Sequence, residues 1–148
     1  MSISTETEEI IMGSLNHGYV QINIGAEIRA LKTHIVVAEL SLDIDGDEYR
    51  PDLSVYPKFE IDFSQDQLKM TELPLLAIEV LSPKQGYQDI MDKFAIYFKA
   101  GIKSCWLVLP MSRAITVFHS PKETKTFSDG EIIDDVVDIC LSLKEIFI

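Results

Sequence analysis

The chain has 148 residues, 47% of them hydrophobic and 25% charged, with a formal net charge of −11. That is one domain's worth of chain, long enough to bury about 68–70% of its unfolded surface without disulfide or metal staples. The composition excludes a disordered tail, a coiled coil and a collagen-like chain, and no apolar run approaches the roughly 20 residues that span a bilayer.

We expect a single domain over 1–148, with 1–13 as a peripheral or poorly ordered N-terminal segment. That segment, MSISTETEEIIMG, has neither the basic start nor the apolar region of a signal peptide. The first periodic element runs from Ser14 to Lys32. His17, Val20, Ile24, Ile28 and Leu31 recur at i, i+3/i+4 spacing and form the stripe of an amphipathic helix, with Ser14 or Asn16 as its cap. His34–Asp43 and Tyr49–Tyr56 read as strands. Asp45-Gly46 between them is a hairpin signal, because both turn positions need positive φ. Pro57–Pro74 is polar and bounded by prolines, so it reads as a loop.

Leu75–Ser82 (LLAIEVLS) is nearly all apolar, as in a strand covered on both faces. Gly86–Ala100 reads as a helix with Ile90, Met91, Phe94 and Phe98 inward and Gly101 as its terminator. Ser104–Leu109 and Ala114–Ser120 read as strands, which makes 75–109 a right-handed βαβ unit. The tail, Val136–Ile148, ends in a strand or a helical turn. The order predicts an α/β domain with a mixed sheet flanked by helices. Cys105 and Cys140 offer no disulfide framework and are expected as two small buried hydrophobes in a reduced cytoplasm.

Residues 43–83 carry a charge of −7, whereas 84–121 carry +3 through Lys84, Lys93, Lys99, Lys103 and Arg113. A nucleic-acid site is therefore expected near the second stretch. Glu79 is the anomaly of the chain: a carboxylate inside the most apolar strand is costly unless paired or metal-bound. Asp52, after Pro51 in RPDLSVYP, opens another extended segment. Two carboxylates at adjacent strand ends, completed by a backbone carbonyl, would suit Mg²⁺ or Mn²⁺. Asp89, Lys93 and Tyr97 fall in line on the following helix, where Lys93 can aim its ammonium at the strand ends. Such a set suits phosphodiester hydrolysis.

These strings, RPDLSVYP, LLAIEVLSP, D-x-x-x-K-x-x-x-Y over Asp89–Tyr97 and AGIKSCWLVLP, resemble the Uma-type restriction endonuclease family of the PD-(D/E)XK nuclease superfamily, from about His17 to the C-terminus. The resemblance implies a restriction endonuclease-like fold and Asp52 and Glu79 as metal ligands, with the Val80 carbonyl beside them. The superfamily's lysine would stand two residues after the glutamate, where this chain has Leu81. Related nucleases move it to the next helix, which again points to Lys93.

The expected function is Mg²⁺- or Mn²⁺-dependent endonucleolytic cleavage of DNA, with Asp52, Glu79 and Lys93 as catalytic residues. A homodimer is expected, because Tyr19 and Ile22 lie opposite the first helix's main stripe and a double-strand cut needs two sites. The competing reading is a nuclease fold retained as a silent interaction or regulatory module, favoured by the net charge of −11. A weaker third is hydrolysis of a non-nucleic phosphoester. His17 and Trp106 are read as core, Glu27 as solvated, and Asp43, Asp45 and Asp47 as a hairpin rather than a calcium loop, because glycine stands fourth and not sixth.

Overall fold

A computed structural model describes residues 13–148. The expected peripheral segment 1–13 lies, apart from Gly13, outside the described residues. Helix α1 spans Leu15–Leu31, and Ser14 caps it by accepting from the His17 N–H at 3.1 Å. Its buried side is the expected stripe with Gln21 added: His17, Val20, Gln21, Ile24 and Ile28. Burying Ile24 and Ile28 completely stabilises the fold by about 1.5–3 kcal/mol each before ordering costs.

Six strands form the main sheet in the order β1-β4-β5-β6-β7-β8. They are β1 (His34–Ala38), β4 (Leu53–Pro57), β5 (Leu76–Val80), β6 (Ser104–Leu109), β7 (Ala114–Ser120) and β8 (Glu123–Phe127). β5 and β6 are parallel and joined by helix α2, Tyr87–Ala100, which is the expected crossover. The other neighbours in this sheet are antiparallel. α2 ends at Gly101, whose φ of 107° fits glycine.

The predicted hairpin is divided. β1 pairs with β4, while β2 (Leu42–Ile44) and β3 (Asp47–Tyr49) make a separate two-stranded sheet around the Asp45-Gly46 turn. The turn has the expected geometry, with φ of 54° and 87°. The break falls at Glu39, a non-glycine residue at φ 51°. Its N–H donates to the Asp52 carbonyl at 3.0 Å, which holds the kink in place. β9 (Glu131–Asp134) and β10 (Ile139–Ser142) form a second small sheet, and α3 (Leu143–Ile146) follows.

Alternation along β5 makes the two layers. Leu76, Ile78 and Val80 join the α1 side of the core, together with Trp106 and Val108. Ala77 joins the α2 side, with Ile90, Phe94, Tyr97 and Cys105. The same alternation corrects one expectation: Ile139 and Leu141 point inward from β10, so Cys140 is exposed and donates to Glu131 at 3.2 Å. Only Cys105 is a buried thiol. No helix among the described residues is long and apolar enough to cross a membrane.

Candidate functional site

The β4–β5 register pairs Leu53 with Ile78, so one step further out Asp52 stands opposite Glu79. Opposed residues of an antiparallel pair lie close and point to one side. Asp52 is held from three directions. Its Oδ2 accepts from the Val80 N–H at 2.7 Å and contacts His17 Nε2 at 3.1 Å. Its backbone carbonyl accepts from Gln21 Nε2 at 3.2 Å and from the Glu39 N–H. Oδ1 takes no hydrogen bond among the described residues, which leaves it available to a ligand.

Glu79 is 2% exposed, and Tyr97 Oη donates to its Oε2 at 3.1 Å. Burial first, and the Asp52 charge second, push its carboxyl up to about 8. The Lys93 ammonium, the Tyr97 hydroxyl and the Asp52 backbone N–H pull the other way and do not win. Burial in turn lifts the Tyr97 hydroxyl well above its usual range. The hydrogen bond to Asp52 raises the His17 imidazole, which favours a charged His17–Asp52 pair.

Lys93 is half-buried on α2, one turn before Tyr97. No ion pair within 4.0 Å joins it to Glu79 or Asp89 among the described residues, so it acts on Glu79 through space. Leu81, at the superfamily's lysine place, is half-buried against the α2-side core. Thus the fold brings Asp52, Glu79 and Val80 together and sets Lys93 within electrostatic reach. Glu27, half-buried on α1, makes no hydrogen bond with either carboxylate among the described residues.

Two hard carboxylates, Asp52 with His17 on one oxygen and Glu79 desolvated with no cation within ion-pair distance among the described residues, form a donor set that fits a divalent cation. The Val80 carbonyl and solvent would have to supply the remaining oxygens. A different group, His119, Asp134 and Asp135, places its ligand atoms within 4.8 Å of one another. There Asp134 is already satisfied: Oδ2 accepts from Ser104 Oγ and from Trp106 Nε1 at 2.8 Å. Oδ1 meets His119 Nε2 at 2.9 Å and the Val136 N–H at 3.1 Å. Asp134 is an internal anchor for β6, β7 and the chain after β9.

Sequence reasoning missed His17, Gln21 and Glu39. His17 sits in the apolar stripe and looks like core, yet its ring reaches Asp52 across 35 residues of sequence. A polar pair at i and i+4, His17 and Gln21, inside an apolar stripe was the available signal.

Glu79 gives a pH signature. Its carboxyl is at about 8 in the fold against 4.5 unfolded, so the folded state holds the proton more tightly. That contribution to stability is fully present below pH 4.5 and is lost as pH rises through 8. In EDTA, the melting temperature of wild type minus that of Glu79→Gln is expected to fall across this window by roughly 5–10 °C. A flat difference would show that Glu79 ionises without cost.

No protein of curated function matches the chain in sequence. Its fold is similar to a crystal structure described as a "putative nuclease belonging to DUF820" from Anabaena variabilis. The TM-score is 0.74 at 21% identity, over 92% of this chain and 82% of the other. A DrdV–DNA complex aligns at a TM-score of 0.38 and 13% identity, over 76% of this chain and 9% of that one, too weakly to bear on the argument. The Uma2 model, described as "Putative restriction endonuclease", matches residues 5–143, and the chain therefore belongs to that family.

Proposed function

We propose that this protein is a divalent-metal-dependent endonuclease that hydrolyses DNA phosphodiester bonds. The observation that carries the reading is the buried Glu79 opposite Asp52, a carboxylate with no cation within ion-pair distance among the described residues beside a second carboxylate that has one oxygen unoccupied. In this reading Asp52 and Glu79, with the Val80 carbonyl, hold Mg²⁺ or Mn²⁺. When bound, the ion would withdraw charge from the phosphate and make a water more acidic. His17, Gln21 and the Val80 N–H orient Asp52, as supporting partners of metal ligands do. Tyr97 fixes Glu79, and Lys93 lends its positive charge to the developing phosphoryl oxygens. A cytoplasmic location accords with the free thiols Cys105 and Cys140.

Plasmid nicking tests the reading. Wild type with Mg²⁺ or Mn²⁺ should nick, whereas wild type in EDTA and Glu79→Ala should not. A folded wild type that cuts nothing with either ion would overturn it.

The second reading, a silent interaction module, rests on the net charge of −11 and on Leu81 at the lysine place. Acidic surface repels phosphates within a Debye length of about 10 Å at 0.1 M salt. A homodimer belongs to the first reading. Leu15 and Tyr19 of α1 are 83% and 47% exposed, an apolar surface that a second copy would cover. Light scattering should report a dimer, and a monomer at assay concentration would count against it.

A further inference from the structure

We propose that the hollow between the C-terminal half of α1, the edge strand β1 and the start of the 58–73 loop is a binding track for unpaired nucleic acid, leading to the Asp52–Glu79 site. This rests on the nuclease reading and names the form of its substrate. The hollow has a volume of about 830 Å³. Its rim carries Arg29, Lys32 and Lys58, and no carboxylate lines it. In a chain of net charge −11, whose stretches 1–42 and 43–83 supply these three cations while being acidic overall, an acid-free basic wall is a local reversal of charge. None of the three makes an ion pair among the described residues, and all three side chains are exposed.

The floor is apolar. Ile35 and Val36 come from β1, while Phe59 and Ile61, 45% and 43% exposed, come from the loop. Phe59 is braced edge-on against Tyr56, with ring centroids 6.1 Å apart. A positive rim above an aromatic and aliphatic floor is how proteins hold single strands: phosphates on the cations, unstacked bases on the ring. A paired base has no face to offer Phe59. His34 is tied down on both ring nitrogens, with Nδ1 2.8 Å from Thr33 Oγ1 and Nε2 donating to the Val137 carbonyl at 2.9 Å.

The hollow continues into a second one of about 800 Å³, which shares Ala26, Arg29 and Val36 and ends at His17 and Gln21, the side chains that hold Asp52. One strand could therefore run from Lys58 along α1 to His17 and Gln21, beside Asp52. Glu39 alone brings a carboxylate to this second stretch, at the end where a cation would neutralise it.

The test is fluorescence anisotropy of the whole protein with labelled single-stranded oligothymidylate in EDTA, so that binding is read without cleavage. Wild type should bind the single strand more tightly than a duplex of the same length. Replacing Arg29, Lys32 and Lys58 by glutamine together should lower the slope of log affinity against log salt by about 2, the value for three phosphate contacts on a single strand. Phe59→Ala, a single change on an exposed loop, should weaken binding at least about fivefold with the salt slope unchanged. Unchanged affinity and slope in both variants, a preference for duplex, or no binding of wild type at low salt would each overturn the track. Binding as described without any cleavage in Mn²⁺ would instead overturn the nuclease reading and leave the track standing. Cleavage by wild type, with both variants binding and cutting equally well, would remove the track alone.

Discussion

Asp134→Ala is expected to lower the stability of the protein by about 3–5 kcal/mol, the largest effect of any single change considered. Asp134 is fully buried and takes hydrogen bonds from Ser104, Trp106, His119 and the Val136 N–H. Ser104 and Trp106 lie on β6 at the centre of the sheet and are themselves 0% exposed. Removing the carboxylate strands the Trp106 indole N–H in a dry interior, where an unmade hydrogen bond costs about 1–3 kcal/mol. Ser104 fares better, because its hydroxyl also reaches the Phe118 carbonyl at 3.3 Å. The cavity and the loosened His119 add the remainder. Trp106→Phe should cost less, about 1–2 kcal/mol, because Asp134 then keeps three other donors. Urea unfolding of the two variants measures both. Equal costs would mean that Asp134 serves Trp106 alone.

The largest expected effect on activity is at Lys93. Lys93→Ala should reduce cleavage by about 10²–10³-fold, as loss of one transition-state charge donor does, with the melting temperature changed by only a few degrees. The geometry separates three roles. A solvated helix lysine would leave activity intact and stability within about ±0.5 kcal/mol. A structural partner of Glu79 would cost about 3–5 kcal/mol on removal, because it would leave a buried charge unpaired. The absence of a close Lys93–Glu79 ion pair argues against that role, while Lys93 still lowers the Glu79 carboxyl through space. Nicking assays beside thermal melts read all three outcomes. An active and equally stable variant would remove Lys93 from the mechanism.

Much of this architecture is legible in the sequence because it is local. The stripe of α1, the αL stop at Gly101 and the apolar run of β5 follow from periodicity and turn chemistry, and they fix the βαβ unit. The pairing of Asp52 with Glu79 was legible for a different reason. A glutamate in an otherwise apolar strand demands a partner, and the register supplies one.

What stayed hidden depends on contacts distant in sequence. His17 joins Asp52 across 35 residues and Asp134 joins Trp106 across 28, and no period marks either. Asp134 lies in the acidic run 129–138, which reads as solvent-facing, although the alternation along β9 turns it inward beside Ile132. The divided hairpin depends on Glu39 adopting positive φ, which its side chain does not favour and its hydrogen bond to Asp52 secures. β8, with the sequence ETKTF, has no apolar alternation because it is an edge strand with one half-buried residue.

Asp52 and Glu79 should form one cation site, and calorimetric titration with Mn²⁺ near pH 7 tests this most directly. With its carboxyl at about 8, Glu79 is mostly protonated at that pH and must give up its proton to become a ligand. Titrations in buffers of different ionisation enthalpy should therefore show one ion per chain and close to one proton released. In Glu79→Gln both the binding and the proton should be lost. Binding of equal affinity in that variant, or binding by wild type without proton release, would contradict the account.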